Sequence, residues 1–213
     1  MLYDVNLTIS YLYDTPVSGG RHIVRVLPLS IGGRQRLVAG TVGANPGPGE
    51  RVDHNDFFDN PMSAILFRNS HERLDIRMQA RVHVDMPEQA ADFSPRVADL
   101  PEDIANYWSL DAGSPHHYTG PSPRLKECPG IADYARAIAK PDMTIRAIAT
   151  AICARIHKDF TYDPKATNVD TTPREAFKLK RGVCQDFTHV MIVALRSLGI
   201  PAGYVSGFLR TIP

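Results

Sequence analysis

Hydrophobic and polar residues alternate along the N-terminal part of the chain. From Tyr3 to Tyr11, apolar side chains occupy every second position, which is the period of a half-buried β-strand. The turn-forming stretch Ser18–Gly20 follows, and a second apolar run at 23–27 comes after it. This order predicts a β-hairpin whose turn lies at Ser18–Gly20.

Two further apolar runs, at 64–68 and 74–84, continue the strand pattern. Stretches rich in glycine and proline interrupt the chain between the runs, as in domains built from many short strands. We therefore expect an antiparallel β-sandwich domain over residues 1–92. The next segment, 93–129, contains six prolines. This composition predicts a linker with short helices, one of them near 103–110.

From residue 130 the apolar residues follow a helical period. Ile145, Ile148, Ile152 and Ile156 fall on one face of a predicted helix. Cys153 flanks this stripe, and we expect it to pack against the core as a small apolar residue. Residues 130–213 are therefore predicted to form a third region, which combines helices with strands.

Two more helices have clear starting signals. Thr172 and Glu175 have the spacing of a capping box, which marks a helix N-terminus. Another helix is expected to begin at Cys184 and to run to Ser197 or Leu198, because Gly199 follows. The residues after it, 202–209, read as a strand.

Composition excludes several classes of protein. The formal net charge is +1, with 24 Lys and Arg against 23 Asp and Glu, so we expect no nucleic-acid partner. The longest apolar run, 190–195, is too short to span a membrane. The N-terminus lacks the pattern of a signal peptide. The three cysteines lack metal-type spacing. We expect a cytoplasmic protein with reduced thiols and with neither a metal nor another cofactor.

Cys184 is the residue that points to chemistry. A thiol attacks a carbonyl only as a thiolate, and the free N–H groups at a helix N-terminus stabilise such an anion. That effect is worth only about 0.3–1 kcal/mol, so a nearby imidazole is also needed. His189 is a poor partner, because five helical residues separate the two side chains by about 140° and by about 7.5 Å along the axis.

A structural alternative for Cys184 remains open at this point. The helix places Cys184 on a plausible buried stripe with Phe187, Met191, Leu195 and Leu198. A cysteine on such a face is usually an inert core residue. Spacing alone does not decide between a nucleophile and a core position.

Three blocks of sequence carry a family resemblance. They are Tyr162–Thr167 (YDPKAT), Gly182–His189 (GVCQDFTH) and Leu198–Phe208 (LGIPAGYVSGF). In this order and spacing they closely resemble the bacterial transglutaminase-like family, within the papain-like cysteine protease superfamily. The strand-rich N-terminal part also resembles the β domain that commonly precedes this core.

The resemblance implies an α+β fold, with an N-terminal antiparallel β-sandwich followed by a papain-like or transglutaminase-like core. It also implies a Cys, His, Asp triad in that chain order, in which Cys184 is the nucleophile. Gln185 and Asp186 are candidates for an oxyanion hole or for groups that support the nucleophile. The strands that carry His and Asp in the family have no counterpart here. We therefore expect an incomplete core and a chain that is a fragment of a longer protein.

Two functions remain open from the sequence. The first is thiol-dependent acyl transfer or hydrolysis at the carboxamide or peptide bonds of a protein or peptide substrate, with this chain alone inactive. The second is a non-catalytic binding or scaffolding module that keeps the fold. The expected strand that ends at Arg210 would leave an exposed edge, which could also support a homo-oligomer.

Overall fold

The computed structural model describes residues 1–85 and 91–208. The chain divides into two compact units, Met1–Ala90 and Ala91–Pro213. Each unit has its own hydrophobic core. The two units are therefore described separately.

The first unit consists of two antiparallel sheets. One sheet has the strand order β1-β6-β3 and the other has the order β2-β5-β4. The strands in its described residues are β1 (Leu2–Val17), β2 (Gly20–Val24), β3 (Gln35–Asn45), β4 (Glu50–Asn55), β5 (Pro61–Phe67) and β6 (His71–Val84).

The two sheets share one hydrophobic core. Ile65 and Phe67 from β5 are buried in the same cluster as Leu74, Ile76 and Met78 from β6. On β1, the alternate residues Val5, Leu7 and Ile9 are partly buried and pack against this core. The predicted β-sandwich is thereby confirmed. Alternation along the sequence gives its strands one face towards the core and one towards the solvent.

The predicted hairpin at Ser18–Gly20 is wrong. β1 pairs with β6, whereas β2 pairs with β5 in the other sheet. Gly19 has a positive φ of 70°, so a turn does form there, but it carries the chain from one sheet to the other. Alternating hydrophobicity specifies which face of a strand is buried, but it does not specify which other strand pairs with it.

The second unit is built around helices. Its helices are α1 (Leu100–Ala105), α2 (Pro129–Ile138), α3 (Ile145–Asp159), α4 (Pro173–Leu179) and α5 (Cys184–Arg196). Two short strands, β7 (Thr161–Tyr162) and β8 (Arg181–Gly182), pair in parallel. Side chains from α2, α3 and α5 fill the centre, and Ile131, Ile148, Ile152 and Val190 are fully buried. Together the two units confirm the predicted α+β class.

The stretch predicted as a linker takes part in the core of the second unit. Leu100, Leu125 and Cys128 are buried there. The helix predicted near 103–110 corresponds to α1, which begins three residues earlier, and a short 3₁₀ helix at Pro115–His117 follows it. Prolines break the secondary structure of this stretch without keeping its apolar side chains out of the core.

The predicted burial of Cys153 is also wrong, because its side chain is exposed. Ile148, Ile152 and Ile156 carry the buried face of α3, as the sequence predicts. Cys153 follows Ile152 and therefore lies about 100° around the helix from it. That rotation is enough to turn the thiol towards solvent.

The capping box at the start of α4 is confirmed. The backbone N–H of Thr172 donates to Glu175 Oε2 at 2.8 Å, and the N–H of Glu175 donates to Thr172 Oγ1 at 3.3 Å. Pro173 occupies the first helical position, where no N–H is needed. Two of the N–H groups at this helix end are thus satisfied by side chains.

We expect Thr172→Ala to lower the free energy of unfolding by about 1 kcal/mol, because it removes the capping oxygen. Urea denaturation measures the change. Thr150→Ala is the matched control, since Thr150 is exposed on α3 and its hydroxyl only returns to the carbonyl of Arg146. Equal losses in the two variants would show that the capping box adds no stability.

The strand predicted at 202–209 is absent from its described part. Residues 202–208 have irregular backbone, and Leu209 lies outside the described residues. The N–H of Ala202 donates to the carbonyl of Tyr118, and Arg196 donates to the carbonyl of Ala202. The backbone N–H and carbonyl of Ala202 are therefore hydrogen-bonded to a loop and to a side chain, and not to a neighbouring strand. The homo-oligomer that was inferred from this edge strand stays a prediction.

Candidate active site

Cys184 is the first residue of α5, and its side chain is exposed. The buried face of the helix is formed instead by residues such as His189, Val190 and Val193. Cys184 is thus not part of the hydrophobic core. In the described residues its exposure favours the nucleophile over the core position, and the choice between them stays a prediction.

The chain enters α5 through a glycine with an unusual conformation. Gly182 has a φ of 153°, which side-chain-bearing residues rarely adopt. A Cβ on Gly182 would lie 2.4 Å from Asp186 Oδ2. Val183 then continues in extended backbone before the helix begins. Glycine is therefore required here both for its backbone conformation and for the space that it leaves to Asp186.

Asp186 supports the start of α5 from inside the protein. Its side chain is only 1% exposed. Oδ2 accepts hydrogen bonds from the backbone N–H of Val183 at 2.8 Å and from Thr167 Oγ1 at 2.7 Å. Oδ1 is buried and has no hydrogen-bond partner within the part of the chain that the structure describes. This carboxylate fixes the turn that carries Cys184.

Two backbone N–H groups at the N-terminus of α5 are free to donate a hydrogen bond. Within residues 1–85 and 91–208, the N–H groups of Cys184 and Gln185 have no hydrogen-bond acceptor. The N–H of Asp186 is different, since it donates to the carbonyl of Val183 at 3.0 Å. Asp186 therefore offers no free donor, whereas Cys184 and Gln185 offer two. Free N–H groups at a helix N-terminus bind anions, and these two lie beside the thiol.

Among the described residues no hydrogen bond joins His189 to Cys184, in agreement with the helical geometry. Its side chain is 8% exposed, and its ring centroid lies 5.5 Å from that of Tyr204. Burial is the main cause that lowers the pKa of His189. The charge of Asp186 opposes this shift, and the charge of Arg124 adds to it. No histidine in the described residues forms a hydrogen bond with Cys184 Sγ.

A pocket of about 400 Å³ lies beside the first turns of α5. Gln185 and His189 line it from the helix, and Ser122 and Tyr204 line it from loops. Sequence reasoning missed this pocket. The spacing of four residues between Gln185 and His189 could have placed them on one helix face, but no local signal pointed to Ser122.

No group of three or more His, Cys, Asp or Glu side chains is arranged to hold a metal ion among the residues that the structure describes. The described helices are all too short or too polar to cross a lipid bilayer.

Both units match known families. Residues 132–212 match the transglutaminase-like superfamily, and residues 3–83 match the bacterial transglutaminase-like N-terminal region. Each of the two units thus carries a region characteristic of bacterial transglutaminase-like proteins. The family was inferred from three sequence blocks and the strand-rich N-terminal part, and that inference is confirmed.

Several relatives of this transglutaminase-like chain come from mycobacteria. An uncharacterized protein of Mycobacterium tuberculosis is 30% identical over 189 residues, which cover 84% of this chain and 57% of the relative. A protein of Mycobacterium bovis matches to the same extent. One from Mycobacterium leprae is 28% identical over 208 residues, which cover 94% of this chain and 68% of the relative. The chain thus spans a little over half the length of the first two relatives.

A solved structure has the same fold as this transglutaminase-like chain. It belongs to a protein of Cytophaga hutchinsonii that is described as a candidate cysteine protease. The TM-score is 0.67 at 17% sequence identity, and the match covers 94% of this chain and 67% of the other. At this identity the similarity establishes the fold alone.

Proposed function

We propose that the whole protein catalyses thiol-dependent acyl transfer or hydrolysis at carboxamide or peptide bonds, with Cys184 as the nucleophile. One observation carries this proposal: the Cys184 thiol is exposed at the first position of α5, beside two free N–H groups. A core cysteine would be buried and would have no such neighbours. A protein or peptide substrate fits this chemistry.

The proposed reaction proceeds in two stages. The Cys184 thiolate attacks the carbonyl carbon, a C–S bond forms, and the carbonyl oxygen becomes an oxyanion. The N–H groups of Cys184 and Gln185 stabilise that oxyanion, which is the largest contribution such sites usually make. The C–N bond then breaks, and ammonia or an amine leaves with a proton. Water or a second amine attacks the thioester, which releases the acyl group and restores the thiol.

The proton transfers need an imidazole, and the family resemblance implies that a His and an Asp complete a triad with Cys184. We propose that the whole protein supplies both groups in addition to the residues described here. Asp186 is a positioning residue in this scheme, because it braces the turn before the nucleophile through Val183. The three free cysteines fit a reducing compartment, and we place the protein in the cytoplasm.

Alkylation by iodoacetamide tests the nucleophile directly. In the whole protein, at about pH 6, we expect Cys184 to react at least roughly tenfold faster than Cys153, because only Cys184 lies in a site that stabilises a thiolate. Peptide mass spectrometry after short labelling times measures both rates. Cys153 is the internal control, since it is also exposed.

Equal rates at Cys184 and Cys153 would contradict the enzymatic proposal. That outcome would favour the second hypothesis, in which the fold serves as a non-catalytic binding module. Cys128 is buried and should react slowly in either case, so its rate reports whether the protein stays folded during labelling.

A further inference from the structure

Lys180 has a backbone conformation that usually belongs to glycine. It follows α4 directly, with a φ of 52° and a ψ of 29° in the left-handed region. A side chain raises the free energy of this conformation, because its Cβ comes too close to the following carbonyl oxygen. Glycine avoids that strain and is the common residue just after a helix. A lysine in this place indicates that its side chain contributes an interaction that offsets the strain.

The side chain of Lys180 ends among three aromatic rings. Its Nζ atom lies 3.3 Å from the ring centroid of Phe177, 4.4 Å from that of Phe160 and 4.7 Å from that of Tyr134. We call these three rings the aromatic cage. An ammonium within about 6 Å of a ring centroid is attracted by the negative face of the ring. Each of the three rings meets that criterion.

No carboxylate forms an ion pair with this ammonium among the residues that the structure describes. The nearby Asp159 is engaged elsewhere, since its Oδ2 accepts from Arg155 Nε at 2.8 Å and from the hydroxyl of Tyr134 at 3.2 Å. Burial lowers the pKa of Lys180, and the charge of Asp159 opposes that shift. The rings of the aromatic cage are therefore the groups that contact the ammonium directly.

The aromatic cage joins several helices of the second unit. Tyr134 belongs to α2 and Phe177 to α4, while Phe160 directly follows α3. Phe160 also packs against Phe187 of α5, with ring centroids 5.6 Å apart and ring planes at 78°. Lys180 thus contacts side chains from three parts of the unit, and one of these side chains contacts the helix that carries the proposed nucleophile.

The backbone of Lys180 begins the segment that leads to Cys184. The carbonyl of Lys180 accepts a hydrogen bond from the N–H of Thr161 at 2.9 Å, and the carbonyl of Gly182 accepts one from Asp163 at 2.9 Å. Between these two bonds, β8 pairs in parallel with β7. β7 begins directly after one of the cage residues, and Cys184 lies two residues beyond β8. The side chain and the backbone of Lys180 therefore hold the same pair of short strands.

We propose that Lys180 is a positioning residue for Cys184: its ammonium, held by the aromatic cage, fixes the pair of strands β7 and β8 from which the chain enters α5. Asp186 supports the same turn through Val183, and Lys180 is a second support made by a charge and aromatic rings. The effect on the nucleophile rests on the proposed function, whereas the effect on β7 and β8 does not. Lys180 does not touch the substrate in this scheme.

Lys180→Met tests the proposal in the whole protein, because methionine keeps an unbranched side chain and removes the charge. Hydrogen exchange measured by NMR reports on the amides of Thr161 and Asp163, which hold β7 to β8. We expect both amides to exchange roughly three- to tenfold faster, as for the loss of one cation–π contact. Alkylation of Cys184 by iodoacetamide at about pH 6 should slow by a similar factor, because the turn is positioned for a smaller fraction of the time.

Three further variants separate the charge from the backbone. Lys180→Arg keeps a cation that binds aromatic faces, so both rates should stay within about twofold of the wild type. Lys180→Gly relieves the left-handed strain but loses the ammonium, and we expect it to behave as Lys180→Met does. Lys178→Met is the matched control, since Lys178 is exposed on α4 two residues earlier, and it should change neither rate.

The cage itself gives a second test that leaves Lys180 in place. Tyr134→Leu removes one ring, whereas Tyr134→Phe keeps the ring and loses only the hydrogen bond to Asp159. We expect faster exchange at Thr161 and slower alkylation of Cys184 in Tyr134→Leu, and smaller changes in Tyr134→Phe. Equal changes in the two variants would show that the hydroxyl matters and the ring does not.

The two measurements fail separately. Unchanged exchange at Thr161 and Asp163 in Lys180→Met would overturn the proposal, and so would a Lys180→Gly protein that matches the wild type in both rates. Faster exchange with unchanged alkylation would show that Lys180 supports the fold without positioning the nucleophile. A slow Cys184 in the wild type would contradict the proposed function and the positioning role with it, while faster exchange would still support the contact of Lys180 with β7 and β8.

Discussion

Cys184→Ala is expected to lower the turnover of a carboxamide or peptide substrate by a factor on the order of 10³ or more, because covalent catalysis has no substitute once its nucleophile is removed. The assay uses the whole protein and follows release of ammonia or of the amine product. Stability should change little, since the side chain is exposed at the end of a helix. The loss would therefore be a loss of chemistry in a folded protein.

Cys153→Ala is the matched control for this experiment. Cys153 is the other exposed cysteine, and it lies on α3. Its replacement should leave turnover unchanged, which excludes a general effect of thiol removal. Activity that survives Cys184→Ala would place the nucleophile elsewhere. A folded wild-type protein with no activity would support the binding module instead.

The family and the fold could be predicted because their signals are local. Alternation from Tyr3 to Tyr11 marks a strand with one buried face, and the block Gly182–His189 marks the turn into α5. The capping box of Thr172 and Glu175 is a pattern of four residues, and the structure reproduces it. Each of these features depends on residues that are close in sequence, so a single sequence contains enough information to specify it.

Two of the errors arise where the outcome depends on distant residues. The turn at Ser18–Gly20 gave no indication that β1 and β2 enter different sheets, because sheet membership is decided by β5 and β6. The residues after α5 have strand-like composition, yet their backbone bonds to Tyr118 and Arg196. Local propensity is overridden when tertiary partners satisfy the backbone in another way.

The candidate site shows the same contrast between features that a local pattern reveals and features that depend on distant residues. Cys184, Gln185 and Asp186 were singled out from sequence, but the exposure of Cys184 was not, since spacing placed it on a stripe with Phe187. The hydrogen bond from Thr167 to Asp186 joins residues 19 positions apart, and no periodic pattern links them. The role of Asp186 as a buried brace therefore became visible only in three dimensions.

That brace makes Gly182 the most sensitive position next to the nucleophile. We expect Gly182→Ala to lower the free energy of unfolding by roughly 2–4 kcal/mol, because the new Cβ combines a strained φ with a steric clash. The clash is with Asp186 Oδ2, 2.4 Å from the Cβ position, and the contact with the Asp186 Cγ would be 2.9 Å. Urea denaturation of the whole protein gives the change in unfolding free energy.

Gly130→Ala is the matched control, and it should be neutral or stabilise by up to about 1 kcal/mol, since alanine favours helix. Gly130 lies in α2, and a Cβ there would meet only Phe177 at an ordinary 3.7 Å. If Gly182→Ala folds, Asp186 must move to admit the Cβ, and the bond to the Val183 N–H is then lost. Alkylation of Cys184 should slow in that variant and stay unchanged in Gly130→Ala. A Gly182→Ala protein with native stability and native Cys184 reactivity would show that the carboxylate does not position the nucleophile.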